Sequence, residues 1–263
     1  MVEKKLKKLK EIIKAYPGTV VAFSGGVDSS LLLTIAKEVL QEKVIAVTAV
    51  SPIHPAEEIQ VAKKFARKLG CSHRILYTKE LANKTFVRNT RTRCYHCKRS
   101  LFAQIKKLAS SYGFVVIEGT NKTDLRDYRP GIKALRTLGI HSPFITAGMT
   151  KQDIRKLARR YGIATWNKPA AACLASRIPY GITITVKNLQ RVERAEHYLA
   201  KLGFSLIRVR DHHPIARLEV SQKDIKRVVN FRKKIAACLK KLGYRYICVD
   251  IEGYRTGSLN PGP

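Results

Sequence analysis

The sequence predicts an α/β fold: a doubly wound, mostly parallel sheet followed by a smaller α+β domain. Three observations carry this. From Thr19 onward, short apolar runs rich in β-branched residues alternate with longer segments of helical period, the pattern of a parallel sheet covered by helices. A Gly-rich turn stands where the first such run passes into a helix. After Ile182 the rhythm changes to helix, strand, strand, helix, strand, which belongs to a separate small sheet.

Leu6, Leu9, Ile12 and Ile13 share one face at helical spacing with lysines opposite, and Pro17-Gly18 ends the segment, so the N-terminus reads as an amphipathic helix capping the sheet. Strands are expected at 19–23 (TVVAF), 44–50 (VIAVTAV), 73–77 (HRILY) and 114–119 (FVVIEG), with helices at about 29–40, 56–69 and 100–112 between them. Thr150 with Asp153 forms a capping box that opens a further helix, and Gly162 stops it. Right-handed crossovers place the loops after the strands along one edge, where ligands of open α/β sheets bind. Beyond 182 come a helix (189–203), two strands (204–210 and 215–220) with a hairpin turn at Asp211 to Pro214, a long helix (221–243) and a last strand (244–251). Prolines and glycines break both periods near 172–182, so the domains are expected at 1–172 and 173–263.

Composition bounds the function. The chain has 263 residues, 45% hydrophobic and 27% charged, which excludes collagen-like, disordered and small disulfide-stapled classes. Lys and Arg number 51 against 19 Asp and Glu, leaving +32, a field that favours nucleic acid, nucleotides or an acidic membrane surface. No run approaches the roughly 18 apolar residues of a membrane span, and the N-terminus lacks the apolar centre of a secretory signal, so a cytoplasmic location is expected. In that reducing compartment six cysteines read as metal ligands, catalytic groups or core residues rather than disulfides.

Ser24-Gly25-Gly26-Val27-Asp28-Ser29-Ser30 follows the first strand and opens a helix. Two glycines let the backbone turn tightly against an anion, the first-turn N–H groups point at it, and Ser24, Ser29 and Ser30 add hydroxyls. Asp28 would repel a phosphate unless a magnesium ion stands between them or the carboxylate caps the helix. No Gly-Lys-Ser/Thr closes the loop, so it is not a Walker A motif. The string resembles the pyrophosphate loop of ATP-pyrophosphatases, which split ATP into AMP and pyrophosphate while adenylating an acceptor. That resemblance implies that the loops after later strands hold adenosine, here Thr48 to Ser51 and Glu118-Gly119-Thr120-Asn121.

Cys94-Tyr95-His96-Cys97 lies among Arg88, Arg91, Arg93, Lys98 and Arg99, cations that favour thiolate. A single C-x-x-C fits a redox pair, half a zinc site or iron–sulfur ligands. Cys173 sits in AACLASR, where small neighbours leave a thiol accessible. Three cysteines can hold a four-iron four-sulfur cluster with one iron open to sulfide or substrate. The competing reading makes Cys173 a lone nucleophile and Cys94 with Cys97 a redox pair. Cys71, Cys238 and Cys248 read as core residues, His212-His213 as loop residues and Trp166 as a packing anchor at the domain junction.

SGGVDSSLL, RCYHCKRSLF, GTNKTDLRDYRPG, PAAACLASRIPYG and VDIEGYRTGSLN, in this order from Ser24 to Asn260, resemble the LarE family of ATP-dependent sulfur transferases. The resemblance implies an enzyme that adenylates the carboxylates of pyridinium biscarboxylic acid mononucleotide and delivers sulfur to make thiocarboxylates for the nickel-pincer nucleotide cofactor. It implies ATP, Mg2+ and, because Cys94 and Cys97 accompany Cys173, a [4Fe-4S] cluster on these three cysteines. By position it makes Cys173 the sulfur-bearing residue. It sets Lys98 near the ATP phosphates, with Ser24, Gly25, Gly26, Asp28, Ser29, Ser30, Ser51, Gly119, Thr120 and Asn121 around ATP. Arg177, Arg208, Arg210, Arg255 and Glu219 fall where the family binds the substrate's phosphate and carboxylates. Homo-oligomers are frequent in the family. The rival reading keeps the chemistry and makes tRNA the acceptor. The charge of +32 favours it; the roughly 18 residues before the first strand and the lack of an aromatic stacking platform oppose it. A non-enzymatic nucleotide or RNA-binding module would leave the cysteines incidental.

Overall fold

A computed structural model describes residues 1–126, 130–168 and 172–259. Residues 127–129 of GTNKTDLRDYRPG, the first three of PAAACLASRIPYG and the last of VDIEGYRTGSLN lie outside them. Contacts divide the chain into two units, Met1–Glu80 with Thr92–Ala171, and Leu81–Arg91 with Ala172–Pro263.

In the first unit, α1 (Val2–Lys14) leads to β1 (Thr19–Ala22), α2 (Val27–Leu40), β2 (Val44–Val50), α3 (Ala56–Lys68) and β3 (Ser72–Tyr77). The short α4 (Lys84–Val87) belongs to the second unit. Then come α5 (Arg93–Ser110), β4 (Val115–Ile117), α6 (Pro130–Thr137), α7 (Pro143–Thr146) and α8 (Lys151–Arg160). The four strands are parallel in the order β3-β2-β1-β4, with Thr19 opposite both Val44 and Val115. Alternate residues feed two cores, which is why the strands read as continuous apolar runs. Val21 and Ala46 meet Leu9, Ile13, Leu32, Ala62 and Leu157 on one face, while Val20, Ile45 and Val116 meet Phe102, Ile105 and Leu135 on the other. Leu6, Leu9 and Ile13 are buried as the N-terminal pattern requires. Strand order reverses between β1 and β4, the place where ligands of open α/β sheets bind.

Several elements depart from expectation. The helix expected from residue 100 begins at Arg93, because its arginine-rich first turn hides the apolar period, so Cys94 and Cys97 lie on helix rather than loop. The short α6 and α7 start at prolines and are too brief to show a period. Leu81–Arg91 joins the second unit through Asn89, whose amide donates to the carbonyls of Ile178, Pro179 and Ile182 at 3.3, 2.7 and 2.8 Å. Trp166 packs against the first unit's core, under the Arg159 guanidinium at 5.2 Å.

The second unit continues with α9 (Val186–Lys201), β5 (Ile207–His212), β6 (Ile215–Val220), α10 (Ile225–Asn230), α11 (Arg232–Lys241) and β7 (Tyr246–Val249). Its sheet runs β5-β6-β7, antiparallel then parallel. The expected single helix over 221–243 is instead a 3-10 turn followed by two helices. They break at Phe231, whose ring turns in against Phe204 (centroids 6.2 Å) beneath the Arg227 guanidinium. Val209, Ala216, Leu218 and Val220 face the helices, so Arg208, Arg210, Arg217 and Glu219 share the opposite face. His212 closes β5 rather than lying in the loop. Cys71 is buried, but Cys238 is only half-buried and Cys248 is exposed, since β7 is an edge strand with that side facing solvent.

Candidate active site

The phosphate loop stands at the strand-order reversal. Gly25 takes φ +76°, which an L side chain adopts only under strain, and a Cβ there would lie 3.2 Å from the Ala62 Cβ and backbone N. Ser24 Oγ and Ser29 Oγ share a hydrogen bond at 3.1 Å, and Ser29 Oγ reaches Gly26 O at 3.2 Å, so the hydroxyls brace the turn at the start of α2. Ser30 is fully buried and its hydroxyl has no partner among the described residues. Gly25→Ala is expected to cost about 1–2 kcal/mol, the penalty of a left-handed non-glycine residue, together with weaker ATP binding. Thermal melts and ATP titration of the variant check both.

The loop after β4 meets this turn. An added Cβ at Gly119 would sit 3.2 Å from Asp28 Cβ and Ser29 N, so glycine there lets the two loops touch. Glu118 is buried and satisfied: Thr120 donates its N–H at 3.0 Å and its hydroxyl at 2.6 Å, and the Ser142 hydroxyl donates to the other oxygen. Asn121 donates to Asp28 Oδ1 at 3.3 Å, and Lys151 makes an ion pair with Asp28 Oδ2. The sequence motifs do not point to Lys151. Its one signal is the neighbouring Thr150–Asp153 capping box, which is formed as expected but does not say what the next side chain meets.

After β2, Thr48 is buried and bonds Phe23 O at 2.8 Å, and Ser51 Oγ lies 3.3 Å from His54 Nδ1. Burial holds the His54 and His73 pKa values below the usual imidazole range. Lys98 lies on α5, its stem against α6, where a Cβ at Gly131 would come within 2.7 Å of Lys98 Cδ. Cys94 is exposed and Cys97 half-buried, one helical turn apart on the first turn of α5.

The second unit holds the arginines. Arg177, 2% exposed, makes a two-pronged contact with Glu196 at 2.9 and 2.8 Å and donates to the carbonyls of Ala172 and Cys173 at 2.6 and 3.1 Å, so it fixes the backbone carrying Cys173. Arg210 reaches Glu219 at 2.6 Å and Ser176 O at 3.0 Å. Glu219, fully buried, also accepts from Arg217 at 3.0 Å and Ser258 at 2.6 Å. Arg208 lies over the Tyr254 ring at 5.5 Å; burial, then the neighbouring Arg177, lower its pKa. Arg255 is half-exposed and pairs with Glu252 at 2.7 Å. Arg177, Arg208, Arg210 and Arg217 form a guanidinium–carboxylate cluster with Glu196 and Glu219. Arg217 and Glu196, which no sequence motif marks, help build it. Among the described residues no three His, Cys, Asp or Glu side chains gather in a metal-holding group.

A parallel sheet carrying SGGVDSS at its strand-order reversal defines a PP-loop ATP-pyrophosphatase, and the sequence model described as asparagine synthase matches residues 18–102. The chain is 38% identical over 242 residues (91% of this chain, 88% of the relative) to pyridinium-3,5-bisthiocarboxylic acid mononucleotide synthase of Lactiplantibacillus plantarum. It belongs to the LarE family of ATP-dependent sulfur transferases. An uncharacterized protein of Synechocystis sp. is 40% identical over 263 residues (99% and 98% of the two chains), and one of Methanocaldococcus jannaschii is 29% identical over 257 (96% and 98%). No helix among the described residues is long and apolar enough to cross a membrane.

Proposed function

We propose that this chain uses ATP to adenylate a carboxylate of pyridinium-3,5-biscarboxylic acid mononucleotide and then replaces the activated oxygen by sulfur. The observation that carries this is the match to the Lactiplantibacillus synthase, which spans both units rather than the nucleotide domain alone. A carboxylate is a poor electrophile, so its oxygen first bonds the α-phosphorus while the bond to pyrophosphate breaks. The sulfur nucleophile then attacks the acyl carbon, and AMP leaves with the electron pair of the C–O bond; where that nucleophile is the Cys173 thiolate, loss of its Cα proton breaks the Cβ–S bond, freeing the thiocarboxylate and leaving dehydroalanine.

In this reading the 24–30 loop and Lys98 bind the departing pyrophosphate. Ser51, Gly119, Thr120 and Asn121 line the adenosine side, Cys173 carries sulfur, and Arg208, Arg210 and Arg255 hold the substrate's anionic groups. Arg177 and Glu219 keep that face in register. Asp28, a carboxylate of intermediate exposure beside the loop, has the oxygen chemistry to hold Mg2+, which would draw charge from the phosphates. The [4Fe-4S] assignment rests on the chemistry of Cys94, Cys97 and Cys173, which all retain some exposure and none of which is disulfide-bonded; the described residues do not gather them into a metal-holding group. When bound, such a cluster supplies an open iron for additional sulfide. A homo-oligomer in the cytoplasm completes the reading.

The test is anaerobic pyrophosphate release from ATP with the pyridinium dicarboxylate nucleotide or with bulk unmodified tRNA as acceptor. Stimulation by the nucleotide alone is expected. Stimulation by tRNA alone overturns the reading and makes the +32 charge the footprint of the substrate. Iron and acid-labile sulfide analysis of wild type beside Cys94→Ser tests the cluster: metal lost with that one thiol is expected, and equal iron in both rejects it.

A further inference from the structure

We propose that His73 is a positioning residue for the phosphate loop: acting through Thr48, it fixes the peptide at which β1 passes into the loop and so aims the loop's N–H groups at the departing pyrophosphate. The inference rests on the nucleotide-splitting reading above and adds a residue of β3 that neither the motif nor the resemblance supplied.

Two hydrogen bonds in series join three strands. His73 stands opposite Ala46 in the β2–β3 register, so its side chain shares a face with Thr48, two residues further along β2. His73 Nε2 lies 2.8 Å from Thr48 Oγ1, and Thr48 Oγ1 donates to the Phe23 carbonyl at 2.8 Å. A hydroxyl has one proton to give, and Thr48 gives it to a carbonyl that can only accept. The same oxygen therefore accepts from His73, which sets the proton of the neutral imidazole on Nε2. Burial, then the Lys63 ammonium, hold the His73 pKa below the usual imidazole range, so the neutral ring prevails at neutral pH.

The carbonyl at the end of this series belongs to the peptide that begins the loop. The β1–β2 register runs as far as Ala22 and Val47, and Phe23 follows it. Phe23 N still donates to Val47 O at 2.8 Å, while its C=O and the N–H of Ser24 form the next peptide unit. Ser24 N donates to Ser29 Oγ at 3.3 Å, so that unit is held on one edge by Thr48 and on the other by the first turn of α2. The Phe23 ring lies against Phe65 and His73, with centroids 5.7 and 6.0 Å away. Thr48 is 3% exposed, which leaves little room for water to replace either of its bonds. Without an N–H at position 73 the hydroxyl loses the partner that orients it, and the two glycines that follow Ser24 offer no side chain to resist a turn of the peptide.

The consequence is selective for the phosphates that the loop holds. Binding of ATP, inorganic pyrophosphate and AMP is therefore measured by calorimetry in Mg2+ for wild type, His73→Leu, His73→Gln, Thr48→Val and Thr48→Val with His73→Leu. His73→Leu is expected to weaken ATP and pyrophosphate about tenfold and AMP, which lacks the departing phosphates, by less than about twofold. His73→Gln keeps an N–H donor near the Nε2 position and is expected to stay within about threefold of wild type. Thr48→Val is expected to match His73→Leu, and to carry the test should that variant not fold. Adding His73→Leu to Thr48→Val is expected to cost less than about twofold more, because the two side chains act in series. Equal weakening of AMP and ATP makes His73 a general packing residue and overturns the proposal. So does unchanged binding of all three ligands, a His73→Gln variant as weak as His73→Leu, or a double variant in which the two losses multiply. Wild type that binds neither ATP nor pyrophosphate overturns the nucleotide-splitting reading instead.

Discussion

Cys173→Ala is expected to abolish thiocarboxylate formation, by at least about 10³-fold, while pyridinium-nucleotide-dependent pyrophosphate release continues within about threefold of wild type. In the proposed reading the two steps part company because adenylation would use the phosphate loop, Lys98 and Asp28, all in the first unit, whereas Cys173, the proposed sulfur carrier, lies in the second. Two of the contacts that place this residue run through its backbone carbonyl, which accepts from Arg177 at 3.1 Å and from Ser176 N at 2.9 Å, and neither of these two needs the thiol. Mass spectrometry of the product together with a pyrophosphate assay separates the outcomes. A variant that still forms thiocarboxylate at the wild-type rate removes Cys173 from the chemistry, and one that also stops releasing pyrophosphate places it in the first step.

Glu219→Ala is expected to destabilise the second unit by about 3–5 kcal/mol, the usual cost of leaving a buried charge uncompensated. Glu219 has no exposed surface and accepts from Arg210, Arg217 and Ser258, so its removal strands Arg210, itself 5% exposed, without its carboxylate. The unfolding midpoint in urea reads this directly. Arg255→Ala is the matched control: that guanidinium is half-exposed and its pairs with Asp250 and Glu252 lie near the surface, so less than about 1 kcal/mol is expected. If Glu219→Ala unfolds with wild type, the guanidinium face is held by something other than its carboxylate.

The sequence by itself determined the features that depend on period and local chemistry. Near-continuous apolar runs announced β1 and β2, because both are buried on two faces, and the predicted set includes all four strands of the described first sheet. The loop string was legible because a turn against an anion needs glycine at a left-handed position, and Gly25 supplies it. The Thr150–Asp153 box was legible because capping acts over three residues.

Only the tertiary structure decided contacts between distant segments. Lys151 reaches Asp28 across 123 positions, and nothing local to either residue marks the pair. Leu81–Arg91 belongs with the second unit because Asn89 bonds carbonyls some ninety residues on. Arg177, Arg208, Arg210 and Arg217 look alike in sequence. Their environments separate them: Arg177 holds the Cys173 backbone, Arg210 and Arg217 serve Glu219, and Arg208 faces Tyr254. A guanidinium's role depends on burial and on which carboxylate or carbonyl the fold brings to it, and period and composition carry neither.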